Sequence, residues 1–443
     1  MMEIEKTLKD AANLLLSFSK TTTVRVISHY DTDGITAAAI LCKALDRKGY
    51  GFHVTLLKHP FKEELSKLKK EDNEIIIFSD LGSGQLDMIE ELGCPAIILD
   101  HHQPEKREIN MDSIIQINSN MFGIDGNYEI SGAGMSYMFA KELDGRNKDL
   151  SVLALTGAIG DKQHLGGFRG LNRDIFDEAK KEGLIQIGES ELKVGDDSME
   201  KEITLSIDPF YPGLSGREER VREMLNSLHI DPEKRYHNLT VEERRKLHSE
   251  LYLRLLRNNL QPEIIDEVVK ERLKSRVLPI SLERFSDTLD ACGKSGETGL
   301  ALSLCLDIKR FYEQAKKVEN EYKKHLLSLL VNLENEGLKE TDTMKYFYSP
   351  RASIGSVMSG IVMNYFPCGG KPVFSITDKN GKIHVSCRAT RELVDKGLDL
   401  GAVMRAVASK LGGSGGGHKI AAGGTFENVS SEELLSTIDK LLG

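Results

Sequence analysis

The sequence predicts an α/β protein: a doubly wound parallel-sheet domain first, then a mainly helical insertion and connector, then a smaller α/β domain. Three observations predict it. Apolar runs of strand length at residues 24–28, 74–79 and 95–99 alternate with helical segments, and each runs into carboxylates, as buried parallel strands do when they deliver polar groups at their C-terminal tips. Residues 373–377 and 382–386 read as strands paired around Lys379-Asn380-Gly381, a hairpin signal. At 443 residues the chain exceeds one ordinary core and accommodates roughly two to four domains.

The composition, 40% hydrophobic and 29% charged, is that of a soluble globular protein. A net charge of −9 excludes a global basic field for nucleic acid, so a polyanion must be met by a local patch or by bound metal. Cys42, Cys94, Cys292, Cys305, Cys368 and Cys387 form no Cys-x-x-Cys pair and read as reduced thiols. The acidic N-terminus lacks a signal-peptide core and no apolar run is long enough for a membrane span, so the expected location is cytoplasmic, with no membrane partner.

Residues 3–19 carry the apolar spacing of an amphipathic core helix. The strand at 24–28 leads into His29-Tyr30-Asp31-Thr32-Asp33-Gly34, and residues 35–41 then have the composition of a buried helix. In an extended segment residues two apart point the same way, so His29, Asp31 and Asp33 would project together and call for a cation. The ordinary alternative is an Asp helix cap with a turn glycine.

A strand at 54–57 and a charged helix at 61–70 follow. The strand at 74–79 then ends in Asp80-Leu81-Gly82-Ser83-Gly84, and the strand at 95–99 ends in Asp100-His101-His102. Right-handed crossovers place all these tips on one edge of the sheet. A further strand is expected at 113–117, a helix from the glycine-rich start Ser131-Gly132-Ala133-Gly134 to about Leu143, and an apolar helix at 150–159 ending Gly160-Asp161. Taken alone, Asp161 is a helix C-terminal turn and Asp-His-His a structural pair.

Taken together, His29-x-Asp31-x-Asp33, Asp80, Asp100-His101-His102 and Asp161 resemble the four motifs of the DHH phosphoesterase superfamily. Residues Phe285 to Lys294, with Asp290-Ala291-Cys292-Gly293, resemble the linker-helix motif of RecJ-type nucleases. Ser386-Cys387-Arg388 and the stretch from Gly412 to Gly423 resemble the associated substrate-binding domain, DHHA1. The resemblance implies two divalent metal ions. His29, Asp31 and Asp80 would hold one, and Asp33, Asp80, His101 and Asp161 the other, with Asp80 bridging. His102 would contact the scissile phosphate and Asp100 would orient an imidazole. Oxygen-rich ligation suits Mn2+, with Mg2+ as the alternative. Two such ions roughly 3.5–4 Å apart activate water and offset charge in the transition state, so no side-chain nucleophile is required.

The expected organisation is a DHH catalytic domain at 1–184, an insertion at 185–284, a linker-helix region at 285–342 and a DHHA1 substrate-binding domain at 343–443. Within the insertion, residues 185–187 and 202–207 read as strands, and 217–228, 241–256 and 264–273 as helices. The basic residues Arg244, Arg245, Lys246, Arg254 and Arg257 interleave with Glu242, Glu243 and Glu250 as a solvated face. One long amphipathic connector is expected from about 299 to 336. In the last domain the glycines at 412–417 are expected to converge backbone N–H groups on an anion, with Ser386, Arg388, Gly415, Gly416, Gly417 and His418 as the substrate-binding set.

The resemblance therefore implies a metal-dependent exonuclease on single-stranded DNA or RNA, with DNA and 5′→3′ digestion to 5′ mononucleotides favoured, in repair or replication. The chain ends soon after the glycine motif, so it is expected to lack the extra C-terminal domains of bacterial RecJ, including an OB-fold. It looks more like archaeal RecJ-like proteins that associate with the GINS complex. The alternatives are 3′→5′ trimming of RNA or DNA, a small-substrate phosphodiesterase on oligoribonucleotides, adenosine bisphosphate or cyclic dinucleotides, and a replisome scaffold binding GINS or a sliding clamp.

Overall fold

The apolar runs near the N-terminus form a five-stranded parallel sheet, ordered β2-β1-β3-β4-β5. Its strands are β1 (Thr23–His29), β2 (Gly51–Leu57), β3 (Ile76–Ser79), β4 (Ala96–Asp100) and β5 (Ile114–Asn118). This computed structural model describes residues 2–58, 61–69, 73–107, 109–257, 265, 268–379 and 381–443. Asn380 of the expected hairpin turn, residue 70 of the expected 61–70 helix, and residues 264, 266 and 267 of the expected 264–273 helix lie outside them. The chain divides into two compact units, Met1–Lys193 with Glu271–Glu319, and Val194–Lys270 with Asn320–Gly443.

In the first unit the helices are α1 (Met2–Leu16), α2 (Thr32–Arg47), α3 (Phe61–Leu68), α4 (Leu86–Glu90), α5 (Gly132–Leu143), α6 (Ser151–Gly160) and α7 (Gly170–Lys181). Val24, Val26, Ile77, Ile97 and Leu99 point to one face of the sheet and pack with Leu8, Ile40, Phe139 and Leu155 from α1, α2, α5 and α6. Ile27, Ile76, Phe78 and Ile98 point to the other and pack with Leu65 and Leu68 of α3 and Leu86 and Ile89 of α4. The period-2 alternation of a strand thus covers both faces with helices, the doubly wound arrangement expected from the sequence. The chain runs from β1 outward to β2 and returns to β3 on the other side of β1, so a crevice opens between the tips of β1 and β3.

β6 (Ile185–Leu192) and β7 (Val269–Ser275) form a two-stranded sheet. Between them lie α8 (Met199–Thr204), α9 (Glu218–Ser227) and α10 (Val241–Leu256). Two expectations are corrected here. The β-branched run expected as a strand at 202–207 instead ends helix α8, because Met199 and Ile203, four residues apart, are both buried on one helical face. Residues 269–273, expected as helix, are extended because they pair with β6.

Then come α11 (Leu282–Lys294), α12 (Thr298–Leu306) and α13 (Ile308–Glu336). The expected single connector is two helices. Asp307 leaves helical geometry (φ −143°, ψ 88°), and its carboxylate accepts the Arg310 N–H at 3.2 Å, starting α13 afresh.

The C-terminal sheet has six strands in the order β12-β13-β11-β10-β9-β8. They are β8 (Lys339–Glu340), β9 (Lys345–Tyr348), β10 (Val373–Lys379), β11 (Lys382–Arg388), β12 (Ser414–Gly417) and β13 (Ala421–Glu427), with helices α14 (Ala352–Tyr365), α15 (Arg391–Asp395), α16 (Leu400–Leu411) and α17 (Ser431–Leu442). β10 and β11 pair antiparallel from Val373–Arg388 to Lys379–Lys382, and Phe374, Ile376, Val385, Met404, Phe426 and Leu434 form the core. Among the described residues no helix is long and apolar enough to cross a membrane.

Candidate metal centre

His29 ends β1, and its Nδ1 lies 2.8 Å from Asp31 Oδ2 and 3.8 Å from Asp80 Oδ2. Asp31 is the N-cap of α2 and accepts the Gly34 N–H at 3.1 Å. Burial pushes its carboxyl up, but the His29 hydrogen bond and charge, with the Gly34 N–H, hold it at about 2. Asp33 is not in an extended segment with His29, as the sequence suggested; it lies in the first turn of α2. The helix starts at once, so Asp33 turns away to a second group of ligands.

Asp33 is buried, and its two oxygens accept the Gly132 N–H at 2.6 Å and the Ala133 N–H at 3.0 Å. The glycine-rich first turn of α5 therefore grips a carboxylate of this chain, using the partial positive charge of a helix N-terminus. A Cβ on Gly132 would meet the Asp80 side chain, and one on Gly157 of α6 would meet Asp33 Oδ1. Sequence reasoning took Gly132 only as part of a helix start and passed over Gly157; the available signal for the latter was a glycine inside the apolar α6 pattern.

Asp80 follows β3 with φ 58°, in the left-handed region, a conformation that costs order 1–3 kcal/mol for a non-glycine residue and clusters at functional sites. Burial, then the charges of Asp33 and Asp31, push its carboxyl well above the usual range. Asp161 caps the C-terminus of α6, and burial followed by the Asp33 charge pushes it up to about 8.

His101 lies between these carboxylates. Its Nδ1 donates to the Gly126 carbonyl at 2.6 Å, which leaves Nε2 facing Asp80 Oδ1 at 3.1 Å, Asp161 Oδ2 at 3.4 Å and Asp33 Oδ2 at 3.6 Å. Asp100 accepts the Ser83 N–H at 2.9 Å, the His101 N–H at 2.8 Å and His102 Nδ1 at 2.9 Å. Burial raises its carboxyl, but His102 and His101 and the Ser83 N–H hold it well below the usual range. Partial desolvation lowers His102, but the Asp100 hydrogen bond and the charges of Asp80 and Asp100 outweigh it and raise the imidazole to about 9. The His102 side chain is 58% exposed, so this cationic ring faces solvent beside the buried carboxylates.

Three groups offer ligand atoms within 4.8 Å of one another: His29, Asp31 and Asp80; Asp33, His101 and Asp161; and Asp80, His101 and His102. The donor set fits divalent metal. Carboxylates crowded in one buried pocket retain protons unless a cation offsets their charge, and the raised Asp80 and Asp161 express that need.

In the other unit, Ser386 and Arg388 lie on β11. Arg388 is half-buried and donates to the Cys387 carbonyl at 2.9 Å and to Ser356 Oγ on α14 at 3.2 Å, a partner the sequence did not indicate. The glycine cluster is corrected: Gly415, Gly416 and Gly417 are not a loop of converging N–H groups but part of strand β12, paired with Gly424, Gly423 and Ala422 of β13. N–H groups along a strand alternate in direction and do not converge on one anion. A Cβ on Gly415 would strike the Met404 carbonyl and one on Gly417 the Ala421 carbonyl, whereas Gly416 faces open space beside Arg405. His418 is exposed and donates its N–H to the Ala421 carbonyl at 2.8 Å.

A DHH family N-terminal domain matches residues 23–158, a DHH-CID domain residues 197–269 and a DHHA1 domain residues 344–443. An uncharacterized protein of Methanocaldococcus jannaschii is 32% identical over 450 residues, covering 100% of this chain and 98% of its own. The chain belongs to the DHH phosphoesterase superfamily. Solved structures share the fold of this DHH protein. CDC45 from Entamoeba histolytica superposes with a TM-score of 0.64 at 12% identity, covering 100% of this chain and 97% of that one. The manganese complex of RecJ from Thermus thermophilus superposes with a TM-score of 0.61 at 18% identity and 98% coverage, and this DHH chain spans 54% of its length. Crystals of that RecJ hold Mn2+ or Mg2+.

Proposed function

We propose that this DHH protein is a two-metal-dependent exonuclease that hydrolyses phosphodiester bonds of single-stranded nucleic acid to 5′ mononucleotides, with DNA digested from its 5′ end. The observation that carries the reading is the pair of ligand groups, His29 with Asp31 and Asp80, and Asp33 with His101 and Asp161, with Asp80 Oδ1 only 3.1 Å from His101 Nε2. That distance supports a role for Asp80 in both groups. Ions bound there, Mn2+ in the first instance, would activate water and offset charge on the phosphoryl oxygens.

The residues of the chain supply the rest. Gly126 and Asp100 orient the two imidazoles, and His102 presents a cationic N–H to a phosphate oxygen. Ser386, Arg388, Gly416 and His418 are the proposed substrate contacts in the second unit. Arg388 suits an anion because its half-buried guanidinium donates to a carbonyl and a hydroxyl, not to a carboxylate.

Matched DNA and RNA strands, each labelled at either end and digested with Mn2+, test the reading. Immediate release of a labelled mononucleotide from the 5′ end of DNA is expected. A ladder shrinking from the 3′ end moves the function to trimming, and cleavage confined to the shortest oligonucleotides moves it to a small-substrate phosphodiesterase. With no cleavage of any strand, the next experiment is pull-down of GINS or a sliding clamp by a metal-dead variant.

A further inference from the structure

The linker-helix motif on α11 is not accounted for by metal ligation or by substrate contact. Its backbone nevertheless sits directly on the turn that carries the first ligands. A Cβ on Gly293 would fall well inside van der Waals contact of the Tyr30 carbonyl oxygen, so only glycine allows the helix to come this close. About two turns earlier, the Ser286 carbonyl accepts the Thr32 hydroxyl at 3.0 Å. Tyr30 and Thr32 flank Asp31, and Tyr30 follows His29. The helix therefore touches the turn on both sides of Asp31.

The helix is itself held in place. Arg284 Nη1 lies 3.0 Å from Glu319 Oε1, and Thr288 Oγ1 donates to Glu319 Oε2 at 2.8 Å, with Glu319 only 2% exposed. Phe285, Leu289 and Cys292 anchor the same helix in the core. The Tyr30 ring packs edge-on against His29 at 4.7 Å and under Lys58 Nζ at 4.9 Å. The turn is thus clamped between a rigid helix and the strand tips.

The second ligand group is built differently. Asp33 hangs on the N–H groups of Gly132 and Ala133, and His101 on the Gly126 carbonyl.

We propose that Gly293 and the Thr32–Ser286 hydrogen bond are positioning elements for the metal site of His29 and Asp31, while Asp33 and His101 of the other site have holds of their own in the Gly132 and Ala133 N–H groups and the Gly126 carbonyl. The proposal rests on the two-metal reading above. Displacing the Tyr30 carbonyl rotates the peptide that joins Tyr30 to Asp31, one residue from His29, and metal ligation tolerates little such movement, since perturbing the groups that orient ligands costs about 10–100-fold in affinity.

The test is a Mn2+ titration of the full chain, read by calorimetry for affinity and stoichiometry and by electron paramagnetic resonance for the spin-coupled pair, with metal-free Tm as the fold control. Gly293→Ala is expected to weaken one of two sites by about tenfold or more, to leave the other at wild-type affinity and to replace the coupled signal with that of an isolated ion. Thr32→Val should do the same, and Thr32→Ser should restore the wild-type signal. Gly299→Ala, where a Cβ meets open space, should match wild type. Wild-type affinities at both sites in Gly293→Ala and Thr32→Val overturn the proposal. Equal loss at both sites, with a lowered metal-free Tm, overturns it too by making the contact merely structural. A wild-type chain that never binds two Mn2+ refutes instead the two-metal reading on which it stands.

Discussion

His101 Nδ1 donates to the Gly126 carbonyl at 2.6 Å, and this one bond fixes which imidazole nitrogen faces the carboxylates. A carbonyl only accepts, so Nδ1 must carry the proton and Nε2 is left to ligate. A Cβ on Gly126 would collide with the His101 carbonyl. Gly126→Ala is therefore expected to lower Mn2+ affinity about 10–100-fold, measured by titration calorimetry against wild type.

Asp80 carries the sharpest trade between stability and ligation. It is buried among Asp33, Asp31 and Asp161 with φ 58°, a conformation that Asn also tolerates. Asp80→Asn should keep the fold, raise the Tm of the metal-free protein by removing a crowded carboxylate, abolish Mn2+-induced stabilisation and abolish hydrolysis. Thermal melts with and without MnCl2 check the first three; full retained activity would sink the bridging role.

The pH dependence follows from Asp161, pushed up to about 8 by burial and the Asp33 charge, against an ordinary value of 3.8. Between those values the folded, metal-free protein binds more protons than the unfolded chain. Its contribution to stability is present below the ordinary value and lost as pH rises through about 8. Mn2+ competes with the same protons, so its affinity should rise over that window and level off above it. Melts and metal titrations from pH 5 to pH 9 should show the two curves moving in opposite directions.

Helix α10 offers a test in the other unit. Thr240 Oγ1 accepts the Glu243 N–H at 3.2 Å, and the Glu243 carboxylate accepts the Thr240 N–H at 2.8 Å. Thr240→Ala should cost about 1 kcal/mol by denaturant titration. Lys234 and the Thr240 N–H hold Glu243 down at about 2 against an ordinary 4.5. Its contribution is present above 4.5 and lost as pH falls through about 2.

The expected strands at residues 24–28, 74–79 and 95–99 appear as β1, β3 and β4 with small shifts at their ends, because a buried parallel strand announces itself by an unbroken apolar run. Residues 202–207 misled because β-branched side chains serve a buried helix face as well as a strand. The glycines of β12 were misread because glycine marks close approach as readily as an anion loop. Gly415 lies against the Met404 carbonyl, and a Cβ on Gly401 would meet the Gly417 carbonyl.

The sequence by itself determined the sheet, its polar tips and the identities of His29, Asp31, Asp33, Asp80, Asp100, His101 and His102 as the residues to examine, because strand patterning and tip chemistry are local; Asp161, at the end of a helix, joined them only through the resemblance of the four motifs. Only the tertiary structure decided how they divide. The reversal of strand order brings β1 beside β3, the early start of α2 sends Asp33 to the N-terminus of α5, and Gly293 brings α11 onto Tyr30. Those contacts join residues up to 263 positions apart, as between Tyr30 and Gly293, and a backbone N–H or a missing Cβ leaves no pattern in the sequence to show what it will meet.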